Sequence, residues 1–148
     1  MRQGVRLSLD LGEARVGIAK SDPDGILASP VKVSNPAELI KDLSELITEY
    51  SPLEIIVGLP IDLQGKSGIS AENVRVKIGE LATNFPLESF RLVDERMTTK
   101  VARSQLQSSG IGTRSDKKLI DAIAACVLLE DALEYERRNG DAPGQVWQ

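Results

Sequence analysis

The 148-residue sequence contains no histidine. That absence removes Ser-His and Cys-His nucleophilic catalysis, imidazole acid–base chemistry and histidine-bearing zinc sites. A single cysteine, Cys126, excludes an internal disulfide framework and a thiolate metal cluster within one chain. It fits a reducing compartment, and a cytoplasmic protein is expected. Aromatic residues amount to 3%, and none of Tyr50, Phe85, Phe90, Tyr135 and Trp147 stands in a motif, so base stacking is not the expected mode of recognition. No apolar run approaches the roughly 20 residues of a membrane-spanning helix, and MRQGVRLSLD leads straight into a strand with no signal-peptide pattern. What remains for catalysis is carboxylates, lysine and hard, oxygen-bound cations such as magnesium or manganese.

The net charge of −4 argues on its own against a nucleic-acid binder, but the charge is uneven. Residues 91–118 carry Arg91, Arg96, Lys100, Arg103, Arg114, Lys117 and Lys118 against Asp94, Glu95 and Asp116. A local basic surface on an acidic chain is one reading; the ordinary solvated face of helices is the other.

Strand-like runs come first, at Val5 to Leu11, Arg15 to Lys20 and Ile26 to Val33. Gly12-Glu13-Ala14 parts the first two as a hairpin turn, with Gly12 expected at positive φ. Asn35 and Pro36 open a helix to about Tyr50, with Leu39, Ile40, Leu43, Leu46 and Ile47 at helical spacing. Leu53 to Val57 reads as a buried strand ending at Gly58-Leu59-Pro60. After the polar loop IDLQGKSG, a helix runs from about Ser70 to Asn84, and Phe90 to Val93 forms a fifth strand. Thr98 or Thr99 caps a short helix to about Ser108. The last helix runs from Ser115 to about Arg138 and is capped by Asn139-Gly140. The order βββαβαβαα predicts an α/β domain over residues 1–138, a mixed five-stranded sheet flanked by helices, with 139–148 as a flexible tail.

Three acids stand out. Asp10 interrupts the apolar run LSLDL near the carboxyl end of the first strand, where an unpaired buried carboxylate would cost several kcal/mol. Glu95 lies just past the fifth strand, where parallel sheets open their ligand crevice. Asp121 is the only charge between Leu119 and Leu129. It shares a helix face with Lys117 and Lys118, and Ala124 and Ala125 are small enough to let that helix approach the sheet. If the helix crosses the first and fifth strands, the three carboxylates converge, and a bound divalent cation relieves their repulsion. Each acid also has a bland explanation: Asp10 as a turn cap, Glu95 paired with an arginine, Asp121 paired with Lys117 or Lys118.

Four ordered stretches, DLGEARVGIAKSDPDG, IIVGLPIDLQGKSG, LVDERMTTKVA and SDKKLIDAIAACVLL, resemble the signature blocks of the YqgF/RuvX-like family. Its members are named as pre-16S rRNA nucleases and as Holliday junction resolvases. The resemblance implies an RNase H-like fold, with Asp10, Glu95 and Asp121 as the acidic triad holding Mg²⁺ or Mn²⁺. It implies phosphodiester hydrolysis in 5′-end processing of pre-16S rRNA, or alternatively resolution of branched DNA, by a monomer or homodimer. Arg15, Lys66, Arg96, Lys100, Arg114, Lys117 and Lys118 are then the expected contacts to structured RNA or branched DNA. The chain departs from the family pattern at Glu13-Ala14, where the family has Thr-Lys, and at Gln64-Gly65, where it has Asp-Gly. Gly58-Leu59-Pro60 stands where RNase H-like nucleases often carry a further carboxylate. Two other readings remain open: a non-catalytic RNA- or partner-binding module, and one lobe of an actin-like ATPase, which would need a second lobe.

Overall fold

The computed structural model describes residues 1–12, 14–60, 70–94 and 114–148, with residues 114–119 by backbone alone. In chain order the elements are β1 (Arg6–Leu11), β2 (Val16–Ser21), β3 (Ala28–Ser34), a 3₁₀ turn (Pro36–Glu38), α1 (Leu39–Tyr50), β4 (Glu54–Leu59), α2 (Ala71–Asn84), β5 (Phe90–Asp94), α3 (Arg114–Asn139) and β6 (Gln145–Val146). One sheet holds the strands in the order β3-β2-β1-β4-β5-β6. The β1–β2 and β2–β3 pairs are antiparallel, and β1–β4 and β4–β5 are parallel. This is the mixed sheet that the order of elements predicts. No described helix is long and apolar enough to cross a membrane.

Period-two alternation sorts the strands onto two faces. Leu7, Leu9 and Leu11 of β1, Val16 and Ile18 of β2, Ile55 and Val57 of β4, and Phe90 and Leu92 of β5 pack with Leu39, Leu43 and Leu46 of α1 and Val74, Ile78 and Leu81 of α2. Ala19, Ile56 and Val93 point the other way, against Ala125, Leu128, Leu129, Ala132 and Leu133 of α3. Cys126 belongs to this second layer, and burial pushes its thiol up to about 11, as expected for a small apolar filler rather than a redox group.

The local signals act as their chemistry requires. Asn35 Oδ1 accepts from the Glu38 N–H at 3.0 Å, so the cap read there in the sequence forms, and Ser70, where the next helix is expected to begin, caps it by accepting from the Asn73 N–H at 3.2 Å. Gly140, at φ +80, ends α3 with its N–H on the Glu136 carbonyl at 2.9 Å. Gly12 differs from expectation, since it is not among the glycines at positive φ. It closes the β1–β2 turn by donating its N–H to the Arg15 carbonyl at 2.9 Å, and a Cβ there would stand 2.7 Å from that oxygen.

Within residues 139–148, where a flexible tail is expected, Gln145–Val146 form β6, so that the sheet has six strands among the described residues where five are expected. Trp147 donates its N–H to the Phe90 carbonyl at 2.7 Å, Gln145 pairs with Leu92, and the Trp147 ring packs on the first core layer. Gly144, at φ +75, passes so close to the Leu92 carbonyl that a Cβ would overlap it. The physical reason is the β5 edge, which without this segment presents unpaired backbone groups.

At the rim where β1 and β4 begin, a buried ionic network fastens α3. Arg6 is 1% exposed and Glu136 5%, and Arg6 Nη2 donates to Glu136 Oε2 at 2.8 Å. Arg2 bridges Glu136 and Glu54, while Arg91 Nε donates to Glu54 at 2.8 Å. Burial of the Glu54 carboxyl works to raise its pKa, but hydrogen bonds from Arg2 and Arg91 outweigh it and hold the group below its ordinary 4.5. A carboxylate with a depressed native pKa stabilises the fold fully above its unfolded value and loses that contribution as pH falls through the folded value. Unfolding free energy should therefore begin to fall below about pH 4.5. Glu54→Gln should flatten that decline in denaturant titrations across the acid range. An unchanged acid slope would remove Glu54 from the account.

Candidate cation site at the β1–α3 rim

Asp10 sits one residue before the end of β1 and is half-buried. Its neighbour two residues back, Ser8, is fully buried and donates its hydroxyl to the Ala125 carbonyl of α3 at 2.7 Å. Strand alternation therefore puts the Asp10 side chain on the α3 face as well. Across the antiparallel ladder Asp10 is paired with Gly17. A Cβ on Gly17 would overlap the carbonyl oxygen of Asp121, so the backbone of α3 lies directly on β2 at that point. The two contacts agree in register. Ser8 to Asp10 is about 6.6 Å along a strand, and Ala125 to Asp121 is about 6 Å along a helix. Asp10 and Asp121, 111 positions apart in the sequence, are thus brought to neighbouring places on one face at one end of the sheet.

The same register row continues across the sheet. Leu9 pairs with Val57 and Gly58 with Val93, so Asp10, Gly58 and Val93 fall in one line. Val93 is 1% exposed and packs with α3, whereas Asp94 shares the opposite face with Leu92 and ends β5 beside Leu59. Because β1, β4 and β5 are parallel, their carboxyl ends open on the same rim. Glu95 follows β5 directly in sequence but lies outside the described residues. So do Lys66, Arg96, Lys100 and the short helix expected after Thr98, and the side chains of Arg114, Lys117 and Lys118 are likewise not described.

Arg15 is found next to Asp121. Its Nε donates to Asp121 Oδ2 at 2.6 Å, with the Arg15 and Asp121 side chains 31% and 27% exposed. The pairing expected for Asp121 from spacing alone was to Lys117 or Lys118; the described partner comes from the β1–β2 turn. Lys77 of α2 reaches the same rim, with Nζ 3.5 Å from the Gly12 carbonyl. A cavity of about 150 Å³ adjoins Arg15 and is lined also by Lys32, Asn35, Glu38 and Asp42. Asp42 is committed within it: a hydrogen bond from Ser34, then Lys32, holds its carboxyl below the ordinary value against the effect of burial.

Gly17 and Lys77 are the positions that pattern reasoning passed over. A glycine inside a strand signals close approach of another backbone, and Gly17 carries that signal. Lys77 carries none, because a lysine on an amphipathic helix is ordinary.

The donors gathered here are carboxylate oxygens, which suit a hard divalent cation that keeps several waters and shares its shell with phosphate. That Asp121 already attracts a guanidinium shows that positive charge is favoured at this place. Asp10 and Asp121 therefore fit such an ion, with no third Asp, Glu or Cys forming a cluster among the described residues.

Solved structures define the class. The chain superposes on Thermus thermophilus RuvC in complex with a Holliday junction substrate with a TM-score of 0.61 at 12% identity, over 95% of this chain and 99% of that one. Thermus thermophilus RuvC in a second structure gives 0.58 at 14% identity, with the same coverage. The architecture is thus the RNase H-like fold of the RuvC structures. A family model described as "RuvX: Holliday junction resolvase" matches residues 4–135, and the chain belongs to the RuvX family. Relatives named "Putative pre-16S rRNA nuclease" include one from Streptomyces coelicolor, 44% identical over 98% of this chain and 89% of the relative. One from Streptomyces avermitilis is 43% identical over 98% and 95%, and one from Thermobifida fusca is 42% identical over 99% and 97%.

The contact at Gly17 yields a direct expectation. Gly17→Ala forces a methyl group into the α3 backbone, an overpacking that should cost about 1–3 kcal/mol and lower the melting temperature. Because α3 must lift or slide, divalent-ion affinity should fall with it. A variant with unchanged melting and unchanged Mn²⁺ binding would contradict the close packing of α3 on β2.

Proposed function

We propose that this chain is a metal-dependent nuclease that hydrolyses phosphodiester bonds, with the 5′-end processing of pre-16S rRNA as its work in ribosome biogenesis. The observation that carries it is the convergence of Asp10 and Asp121 on one face of the sheet rim. Glu95, next in sequence after β5 at that rim, completes the proposed triad. Membership of the RuvX family and the names of the curated relatives support the nuclease reading and the RNA substrate.

Asp10, Glu95 and Asp121 are the proposed ligands of Mg²⁺ or Mn²⁺. Such an ion supplies Lewis-acid polarisation of the phosphoryl group and activation of a water, which is how the chemistry proceeds without histidine. The protein's own part is positional. The α3–Gly17 contact sets the spacing of two carboxylates, and the ionic network at the far rim fixes the register of α3. Lys66, Arg96, Lys100, Arg114, Lys117 and Lys118, with Arg15 at the site itself, hold the phosphate backbone. Lys77 adds a cation on the α2 side. With few aromatic residues, recognition rests on backbone charge and the shape of the nucleic acid rather than on stacked bases. One cysteine, buried and free, accords with a cytoplasmic protein.

The fold shared with RuvC favours one second reading, cleavage of branched DNA. Two symmetric cuts would then require a homodimer. Asp10→Asn and Asp121→Asn should each lower Mn²⁺-dependent cleavage of a pre-16S rRNA 5′-end substrate at least a hundredfold, with melting temperatures within a few degrees of the parent. A four-way DNA junction run in parallel separates the two substrates. Undiminished turnover in either variant would end the metal-site assignment.

A further inference from the structure

We propose that Arg15 is an internal counter-ion of the cation site, occupying the Asp121 carboxylate in the free protein and competing with the divalent cation for it. This rests on the metal reading of Asp10 and Asp121 given above, and it adds a residue that tunes ion affinity rather than holding the ion.

The geometry sets up the competition. Arg15 Nε meets Asp121 Oδ2 at 2.6 Å, a charge-assisted bond on one of the two proposed ligands. The residue emerges from a turn whose backbone is closed by the Gly12 N–H to Arg15 carbonyl bond, so the root of the side chain is fixed and only its χ angles are free. A guanidinium is always charged and cannot yield by losing its proton. A divalent cation arriving at Asp121 must therefore displace Arg15 or bind against its repulsion. The displaced group has somewhere to go: the cavity of about 150 Å³ begins at Arg15 itself and is bordered by Glu38 and Asn35. Within it Asp42 is already taken by Lys32 at 2.9 Å, which leaves Glu38 as the acid that a rotated Arg15 meets. Arg15 turned away from Asp121 is also free to meet a phosphate oxygen, so ion binding and phosphate contact favour each other.

The sign of the effect separates this role from a structural one. Losing a packing or orienting residue weakens ion binding, whereas losing a competitor strengthens it. At a partly exposed site, removing one positive charge a few ångströms from a bound dication should raise affinity roughly tenfold at low salt. The experiment is Mn²⁺ titration of the full chain without nucleic acid, followed by the electron paramagnetic resonance of free Mn²⁺. Parent, Arg15→Gln, Arg15→Lys, Asp10→Asn, Asp121→Asn and the Arg15→Gln/Asp121→Asn double variant are compared, with thermal melting in chelator as the check on folding. Arg15→Gln should bind Mn²⁺ about tenfold more tightly, Arg15→Lys should stay within about twofold of the parent, and Asp121→Asn should abolish the gain. Equal or weaker binding in a folded Arg15→Gln, while Asp10→Asn still lowers parent affinity, overturns the counter-ion and leaves the metal site standing. Parent binding indifferent to both Asp10→Asn and Asp121→Asn overturns the metal site, and the counter-ion with it.

Discussion

The structure depends on a helix resting backbone-first on a strand. At Gly17 nothing separates the α3 main chain from β2, and this absence of a side chain is what lets Asp121 come down to the level of Asp10. Three contacts along α3 set its register: the Asp121 backbone on Gly17, the Ala125 carbonyl under Ser8, and Glu136 on Arg6. They span the helix from the site to the opposite rim. A slip of one residue along α3 would turn Asp121 by about 100° and carry it off the Asp10 face.

The two rims treat acids in opposite ways. Glu54 and Glu136 are closed off from water and matched by Arg2, Arg6 and Arg91, an arrangement in which charge is fully answered and no ligand is needed. Replacing one partner of such a buried set costs more than the set contributes, because it leaves the other charge stranded. Asp10 and Asp121 are only half-buried, open to solvent at the sheet end and answered at Asp121 by an arginine that is itself a third exposed. In the proposed reading, this half-buried rim is where an ion and a phosphate enter.

Much of this was legible in the sequence, for physical reasons that differ by residue. Asp10 and Asp121 announced themselves because a carboxylate in an apolar run must meet something, and the mixed sheet followed from where strand and helix periods alternate. Asn35 and Gly140 were legible because capping is local. Ala125 was read correctly as a place where α3 could approach the sheet. The partner of Asp121 was not legible: the pair with Arg15 joins positions 106 apart and exists only once α3 lies on β2. The sixth strand was missed because Gln145 and Val146 are too few to show a period, and their pairing is supplied by the exposed edge of β5. Gly12 needed no left-handed backbone; what its turn required was room for the Arg15 carbonyl.

The central claim is that Asp10 and Asp121 share one cation at the β1–α3 rim. Its most direct measurement is paramagnetic broadening of backbone amide resonances on adding substoichiometric Mn²⁺ to the isotope-labelled chain. Broadening centred on Asp10, Gly17 and Asp121, with the amides of Glu54 and Glu136 left sharp, is the predicted outcome. Broadening at the Glu54–Glu136 rim, or at Asp10 without Asp121, would contradict it.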